Sequence, residues 1–450
     1  MSSNPAAAAA RPQATLSVFD AVAIIVGIVI GAGIFKAPSI VAGSVSSAEV
    51  FIALWIAGGV ISLVGALCYA ELGSAYPNAG GEYYFLTRAF GGWVGFIFAW
   101  ARMSVVQTGA IAAIAFVFGD YATRLYSLGA NSSVIYALLA VAAVTALNIV
   151  GTRESKRLQN VLTLSLGCAI FALIVAGLTH GGAAPAAQPA AASSGPMFSQ
   201  LALIFILLTY GGWNEAAYLT AEIRDSRRNI VRALVSGILI VTVLYVLLNL
   251  AYLNVLGLDG MKASKAVAAD LMQATLGDGG AIVLSLIVMA ASLSTLNATV
   301  FTGARTNYAV GRDYAVFSVL GVWKEQSNAP VNALLLQGGV ALVLVLLASF
   351  TPDGFETMVA YTAPAFWLFF LLTGISLFVL RRQAPINERP FRVPLFPVTP
   401  LLFIAMCAYM LYSSAGYAMS KDPSSLGAQL GIGMLLLGVP LSLLARKRVT

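Results

Sequence analysis

The sequence predicts an all-α polytopic membrane protein with twelve transmembrane helices, the first and sixth of them broken. Three observations carry this. Hydrophobic residues make up 59% of the 450 residues and charged residues only 10%, against about 25% charged in soluble domains. Apolar stretches long enough to cross a bilayer recur along the whole chain. Glycine clusters then interrupt two of those stretches, although each interior Gly costs a helix about 1 kcal/mol against Ala.

The predicted spans run roughly over residues 16–41, 47–76, 90–122, 133–151, 158–179, 198–222, 230–256, 279–308, 331–350, 355–381, 398–418 and 427–445. Residues 1–15 are Ala-rich, lack a signal peptide's order of regions, and read as a disordered cytoplasmic tail. Residues 16–445 form one transmembrane domain. The Ala/Pro/Ser-rich stretch 181–197 reads as a linker between spans 1–5 (16–180) and spans 6–10 (198–381), and 398–445 adds the last two spans. No residue-level repeat joins the two sets of five. What they share is an interruption in the leading helix.

Charge sets the orientation. With the N-terminus inside, 19 of the 25 Lys and Arg fall on the inner face. Five fall outside (Lys36, Arg124, Lys262, Lys265 and Lys421), and Arg102 lies within a span. The positive-inside rule therefore puts both termini in the cytoplasm of a cell that carries this multi-pass protein in its inner or plasma membrane. The net charge of +7 follows from this asymmetry and does not imply nucleic acid. Cys68, Cys168 and Cys407 lie in apolar segments with no CxxC pair, which argues against metal or disulfide chemistry. His180 sits at a predicted outer helix end. With no HExxH or GxSxG array, the chain reads as neither an enzyme nor a cofactor binder.

The first break lies in Val26-Gly27-Ile28-Val29-Ile30-Gly31-Ala32-Gly33-Ile34-Phe35, and the second in Thr209-Tyr210-Gly211-Gly212-Trp213-Asn214. Glycine used for close helix packing is the plainer reading of either alone. Paired interruptions in corresponding positions point instead to a binding site at mid-membrane. Half-helix ends expose free N–H groups at Ala32 and Gly33, the positive end of a dipole, suited to a carboxylate. Carbonyls of Leu208, Tyr210 and Gly211 close the other half-helix and suit an ammonium. A ligand carrying both groups a few ångströms apart is an α-amino acid. Gly or Ala at 31–33 and 211–212 lets the backbone approach it.

These residues carry a resemblance. The chain resembles the amino acid–polyamine–organocation superfamily, and within it the L-type amino acid transporters and their bacterial relatives. The resemblance rests on Gly31-Ala32-Gly33-Ile34-Phe35, on Cys68-Tyr69-Ala70-Glu71-Leu72-Gly73 with Pro77-Asn78-Ala79-Gly80-Gly81-Glu82-Tyr83, on Tyr210-Gly211-Gly212-Trp213-Asn214 with Arg228-Asn229-Ile230, and on Arg389-Pro390-Phe391-Arg392-Val393-Pro394. It implies a LeuT-like fold with a five-plus-five inverted repeat, and alternating access. It assigns the substrate carboxylate to N–H groups of Ala32 and Gly33, and the amine to carbonyls of Val29, Leu208 and Gly211. Asn214 lies beside the substrate, and Tyr210 and Trp213 wall the pocket. Three positions depart from the family pattern. Ala32 replaces a frequent Ser, and Leu208 a frequent aromatic gate. Ser165-Leu166-Gly167 carries no lysine where many relatives place one in span 5. Sodium held by span-1 carbonyls with Ser292, Ser294 or Thr295 is then one candidate for coupling. Bonding of those hydroxyls to their own helix is the alternative.

Charges within a membrane are costly and tend to be functional. Arg102 and Glu215 are expected to pair near the pocket, as a structural or gating pair or as a proton carrier. Glu71 is expected to tie the loop at the inner end of span 2, and Glu222 to join an inner gate. The expected activity is exchange of neutral, small to medium L-amino acids. A proton- or sodium-coupled symporter of an amino acid, polyamine or γ-aminobutyrate is the alternative within the fold, and a non-transporting amino acid sensor the alternative outside it. The expected partners are substrate and membrane lipid. The 123–132 loop has no cysteine, so no disulfide-linked heavy chain is expected.

Overall fold

The computed structural model describes residues 16–445 apart from 79, 151–155, 181–198, 221–222, 325–328 and 384–388. The predicted tail, the 181–197 linker and Glu222 lie outside the described residues. Nine described helices are long and apolar enough to cross a membrane. Two of the three other predicted spans are the broken ones. Residues 16–41 form α1 (Val18–Val29), a 3₁₀ turn (Ala32–Phe35) and part of α2 (Ala37–Gly43). After α3 (Ala48–Ala75) come α4 (Gly81–Phe90), α5 (Gly92–Ala101), a π turn (Arg102–Val106), α6 (Gln107–Leu125), α7 (Ser132–Val150) and α8 (Lys156–Thr179). The third of the three is α8, whose described apolar part, Ser165–Thr179, is short. Residues 198–222 give α9 (Gln200–Thr209), a 3₁₀ turn (Trp213–Glu215) and α10 (Ala216–Leu219).

The rest is α11 (Ser226–Ala263), α12 (Val267–Asp313), a 3₁₀ segment (Ala315–Gly321), α13 (Val331–Ala348), α14 (Gly354–Gln383), α15 (Val398–Ala418) and α16 (Ser425–Leu444). Both α11 and α12 outrun their predicted spans because each includes a short helical piece joined at a bend, at Gly257 and Gly277. Helix α4 falls where the sequence reading places only a connection. Its Glu82, Thr87 and Arg88 break the apolar run, yet Glu82, Phe85 and Leu86 are buried. A capping box starts α1: Ser17 Oγ accepts the Asp20 N–H at 3.2 Å, and the Asp20 carboxylate accepts the Ser17 N–H at 2.9 Å.

Polar side chains join the helices. Gln107 donates to the Thr299 carbonyl at 2.8 Å, Asn148 to Asn297 at 2.6 Å and Asn307 to Gln337 at 3.2 Å. At the end of the bundle bearing Leu16, the Glu71 carboxylate accepts from Arg381 and from the Val393 N–H at 2.7 Å. It thereby holds the Arg389–Pro394 segment after α14 rather than the loop that follows α3.

Lys36 departs from its expected place as one of the exposed outer cations. It is 2% exposed, and its ammonium lies 2.7 Å from Asp120 and 3.0 Å from Asp353. Chain direction explains this. α6 ends and α14 begins at the end opposite Leu16, where α2 also ends, so both aspartates converge on Lys36. Burial alone would raise the Asp353 carboxyl, but the Lys36 charge reverses this and holds it below its ordinary value. Removing one partner of a buried ion pair leaves its counter-charges unpaired, at about 3–5 kcal/mol. Lys36→Met should therefore lower the thermal unfolding midpoint in detergent markedly. Adding Asp120→Asn and Asp353→Asn to Lys36→Met should recover most of that loss.

Candidate functional site

The two broken elements pack antiparallel, and four contacts fix their register. At one end Leu16 bridges to Ile223, and the Arg224 N–H donates to the Leu16 carbonyl at 2.9 Å. At the other, the Ser199 N–H donates to the Ser44 carbonyl at 2.8 Å. Between these ends Gly212 abuts Ile28, where a Cβ would come within 3.3 Å of the carbonyl oxygen. Gly33 abuts Thr209, with 3.5 Å to the hydroxyl. The interruptions at 30–31 and 210–212 are therefore level with each other.

Each break frees peptide groups. At the first, Ile30 leaves helical geometry (ψ 70°) and Gly31 is extended (φ −92°, ψ −171°). The new turn then opens with the N–H groups of Ala32 and Gly33 taken by no acceptor among the described residues. At the second, Gly212 adopts φ 105°, left-handed backbone that L side chains avoid at about 1–2 kcal/mol. The Asn214 side-chain oxygen accepts the Gly212 N–H at 3.2 Å.

Several of the predicted acceptors already have donors. The Val29 carbonyl accepts from the Gly31 N–H at 2.7 Å and from the Tyr245 hydroxyl at 2.8 Å. The Leu208 carbonyl accepts from the Gly211 N–H at 3.0 Å. Tyr245, on α11, also reaches the Thr209 carbonyl at 3.3 Å, so one buried hydroxyl touches both breaks. Sequence reading missed it, because a lone Tyr in an apolar helix carries no distinguishing signal.

Beside the second break lies a cavity of about 110 Å³. Its lining combines Glu82, Arg102, Gly212, Asn214 and Glu215 with the rings of Phe98, Phe366, Phe369 and Phe370. Gly211 backs onto it, with its Cβ position 3.5 Å from the Phe366 ring. Tyr210 and Trp213, expected as pocket walls, turn elsewhere. Tyr210 donates to the Trp55 carbonyl at 3.0 Å and packs against Tyr245. Trp213 packs edge-on against Tyr69, with ring centres 5.0 Å apart.

The Arg102–Glu215 pair anticipated from the sequence forms. Arg102 Nη2 donates to both Glu215 oxygens at 3.1 Å, and Nη1 to the Tyr218 hydroxyl at 3.3 Å. Arg102 opens the π turn, a distortion frequent at functional sites and invisible in the residue pattern. Glu82 is the polar group that sequence reading passed over. Its signal is the Gly-Gly-Glu-Tyr run just outside span 2. Tyr69 donates to its Oε1, Asn214 Nδ2 to the same oxygen at 3.4 Å, and Tyr218 to Oε2 at 3.4 Å. Burial pushes the Glu82 carboxyl up to about 7, against the pull of the Tyr69 hydroxyl and the Arg102 charge. Of the sodium candidates, Thr295 donates to the Ala291 carbonyl of its own helix at 3.0 Å. The buried Ser292 hydroxyl has no hydrogen-bond partner among the described residues, and Ser294 is half-buried. No cluster of three or more His, Cys, Asp or Glu able to hold a metal occurs among the described residues.

Residues 16–435 match the model of the amino acid permease family. The mouse (Mus musculus) b(0,+)-type amino acid transporter 1 is 31% identical over 411 residues, covering 89% of this chain and 82% of the relative. The serine/threonine exchanger SteT of Bacillus subtilis is 27% identical, covering 95% and 96%. The human (Homo sapiens) cystine/glutamate transporter is 28% identical, covering 93% and 82%. The chain is thus a multi-span amino acid permease of the amino acid–polyamine–organocation superfamily, a transporter and not an enzyme.

Proposed function

We propose that this permease exchanges neutral L-amino acids across the cell membrane by alternating access, with the zwitterion held where the first and sixth helices break. The observation that carries the reading is the level, antiparallel placement of the two interruptions, with a cavity lined by both polar and aromatic residues beside the second. Free N–H groups of Ala32 and Gly33 take the carboxylate. The Gly211 carbonyl takes the amine, joined by the Leu208 and Val29 carbonyls once Tyr245 and the local turns release them. Asn214 lies beside the ligand, and the phenylalanine rings accept an apolar side chain. The alignment with SteT over nearly its whole length supports exchange.

The nine long helices, the two broken ones and α8 make twelve spans, arranged as two inverted repeats (16–180 and 198–381) with 398–445 appended. The Leu16 end is cytoplasmic, as are both termini, in keeping with the Lys and Arg bias. The Lys36–Asp120–Asp353 triad then closes the outer side, and Arg102, Glu215 and Glu82 lie on the inner side of the substrate.

Counterflow into proteoliposomes tests this. Unlabelled internal alanine should accelerate entry of labelled alanine several-fold, with or without sodium. Saturable binding without flux would favour a sensor instead. Gly31→Val is the matching variant. A Cβ at Gly31 meets nothing closer than 3.9 Å and the backbone there is extended, so the protein should fold and insert normally. The branched side chain would fill space reserved for the ligand and cut counterflow about tenfold or more, the equivalent of a lost ~1.4 kcal/mol. Flux at the wild-type rate would contradict the pocket.

A further inference from the structure

We propose that Glu82 carries a proton through the transport cycle, taking it from water on one side of the membrane together with a zwitterionic substrate and releasing it to water on the other. This rests on the alternating-access reading above, with a carrier that also returns empty so that exchange is not obligatory, and names the ion coupled to it.

Charge balance is the first argument. The ionisable residues lining the cavity are Arg102, Glu215 and Glu82, one positive and two negative when all are ionised. Arg102 is committed to Glu215 through two hydrogen bonds, and a zwitterion adds no net charge. Glu82, 3% exposed, is left as a buried anion without a cation of its own. A buried group in that position neutralises by binding a proton.

The hydrogen bonds agree. The described partners of Glu82 are Tyr69, Asn214 and Tyr218, all neutral. Oε2 has only the 3.4 Å contact from Tyr218, and that hydroxyl can turn to accept from a protonated carboxyl. Among the described residues, the elements packed against α4 supply no second cation. α5 has no ionisable side chain. In α14, Glu356 is bonded to Tyr417, Tyr361 to the Ser104 carbonyl and Arg381 to Glu71, while Arg382 is exposed. On α4 itself Arg88 is bonded to Tyr84, and Tyr83 lies 3.4 Å from Tyr314. Burial raises the carboxyl to about 7, so its occupancy changes with proton supply near neutral pH. Asn214 supplies the link to substrate. Its amide nitrogen bonds Glu82 while its oxygen holds the Gly212 N–H, so a proton on Glu82 is felt at the break.

Two measurements on the purified full-length protein test the proposal. In proteoliposomes with an inside-alkaline pH gradient, the wild type should concentrate labelled alanine, by up to about tenfold per pH unit, the limit for one proton per substrate. In weakly buffered detergent solution with a pH indicator, alanine added to the wild type at pH 7 should draw up to about half a proton per molecule bound, the share of Glu82 not already protonated. Both responses should vanish in Glu82→Gln, whatever its absolute counterflow rate, and persist in Glu82→Asp. A gradient response that survives Glu82→Gln would overturn the proposal. So would wild-type counterflow with neither accumulation nor proton uptake, a result that leaves the transport reading intact. Proton uptake on alanine binding without any flux would do the reverse, sparing Glu82 and sinking transport.

Discussion

Peptide groups released at two helix breaks must find partners where water does not reach, and the surrounding structure is arranged around that requirement. Helices α1 and α9 both stop short, at the same level and side by side. Gly33 lies against Thr209 and Gly212 against Ile28, and Gly212 also lines the cavity. Local turns, Asn214 and Tyr245 satisfy part of what the breaks expose. The N–H groups of Ala32 and Gly33 have no acceptor among the described residues, and the proposed zwitterion would supply one.

Charges then divide the molecule along its length. At one end Lys36 gathers two aspartates from α6 and the start of α14. At the other, Glu71 ties α3 to Arg381 and to the Val393 backbone, while Arg102, Glu215, Tyr218 and Glu82 form a second cluster against the cavity. Buried ion pairs add little net stability, because desolvation offsets their attraction, but breaking them is expensive. They act as latches, each fixing one arrangement of helices until its partners part together. Such latches on both sides of a central site are what alternating access needs.

Much of this could be read in the residues. The apolar spans, the paired glycine interruptions and the Arg102–Glu215 pair follow from hydropathy, spacing and the cost of charge in lipid. What escaped reading depends on three-dimensional convergence. Lys36 counts as an exposed cation until α6 and α14 are seen to end beside it. Glu82 sits outside any span, on a helix whose polar residues mask its buried face. Tyr245 looks like any other aromatic in α11, and the π turn at Arg102 leaves no periodic trace. Tyr210 and Trp213 show the converse. Their position beside the break suggested pocket walls, but Tyr210 packs on Trp55 and Tyr245, and Trp213 on Tyr69.

The central claim is that one ligand presents a carboxylate and an amine to opposing backbone dipoles. Competition for binding to the purified protein tests it most directly, with alanine set against its methyl ester, its N-acetyl derivative and ethylamine. Only alanine should displace a bound labelled amino acid, because each analogue lacks one charged end. Displacement by the ester or the N-acetyl compound at concentrations similar to alanine would contradict the account.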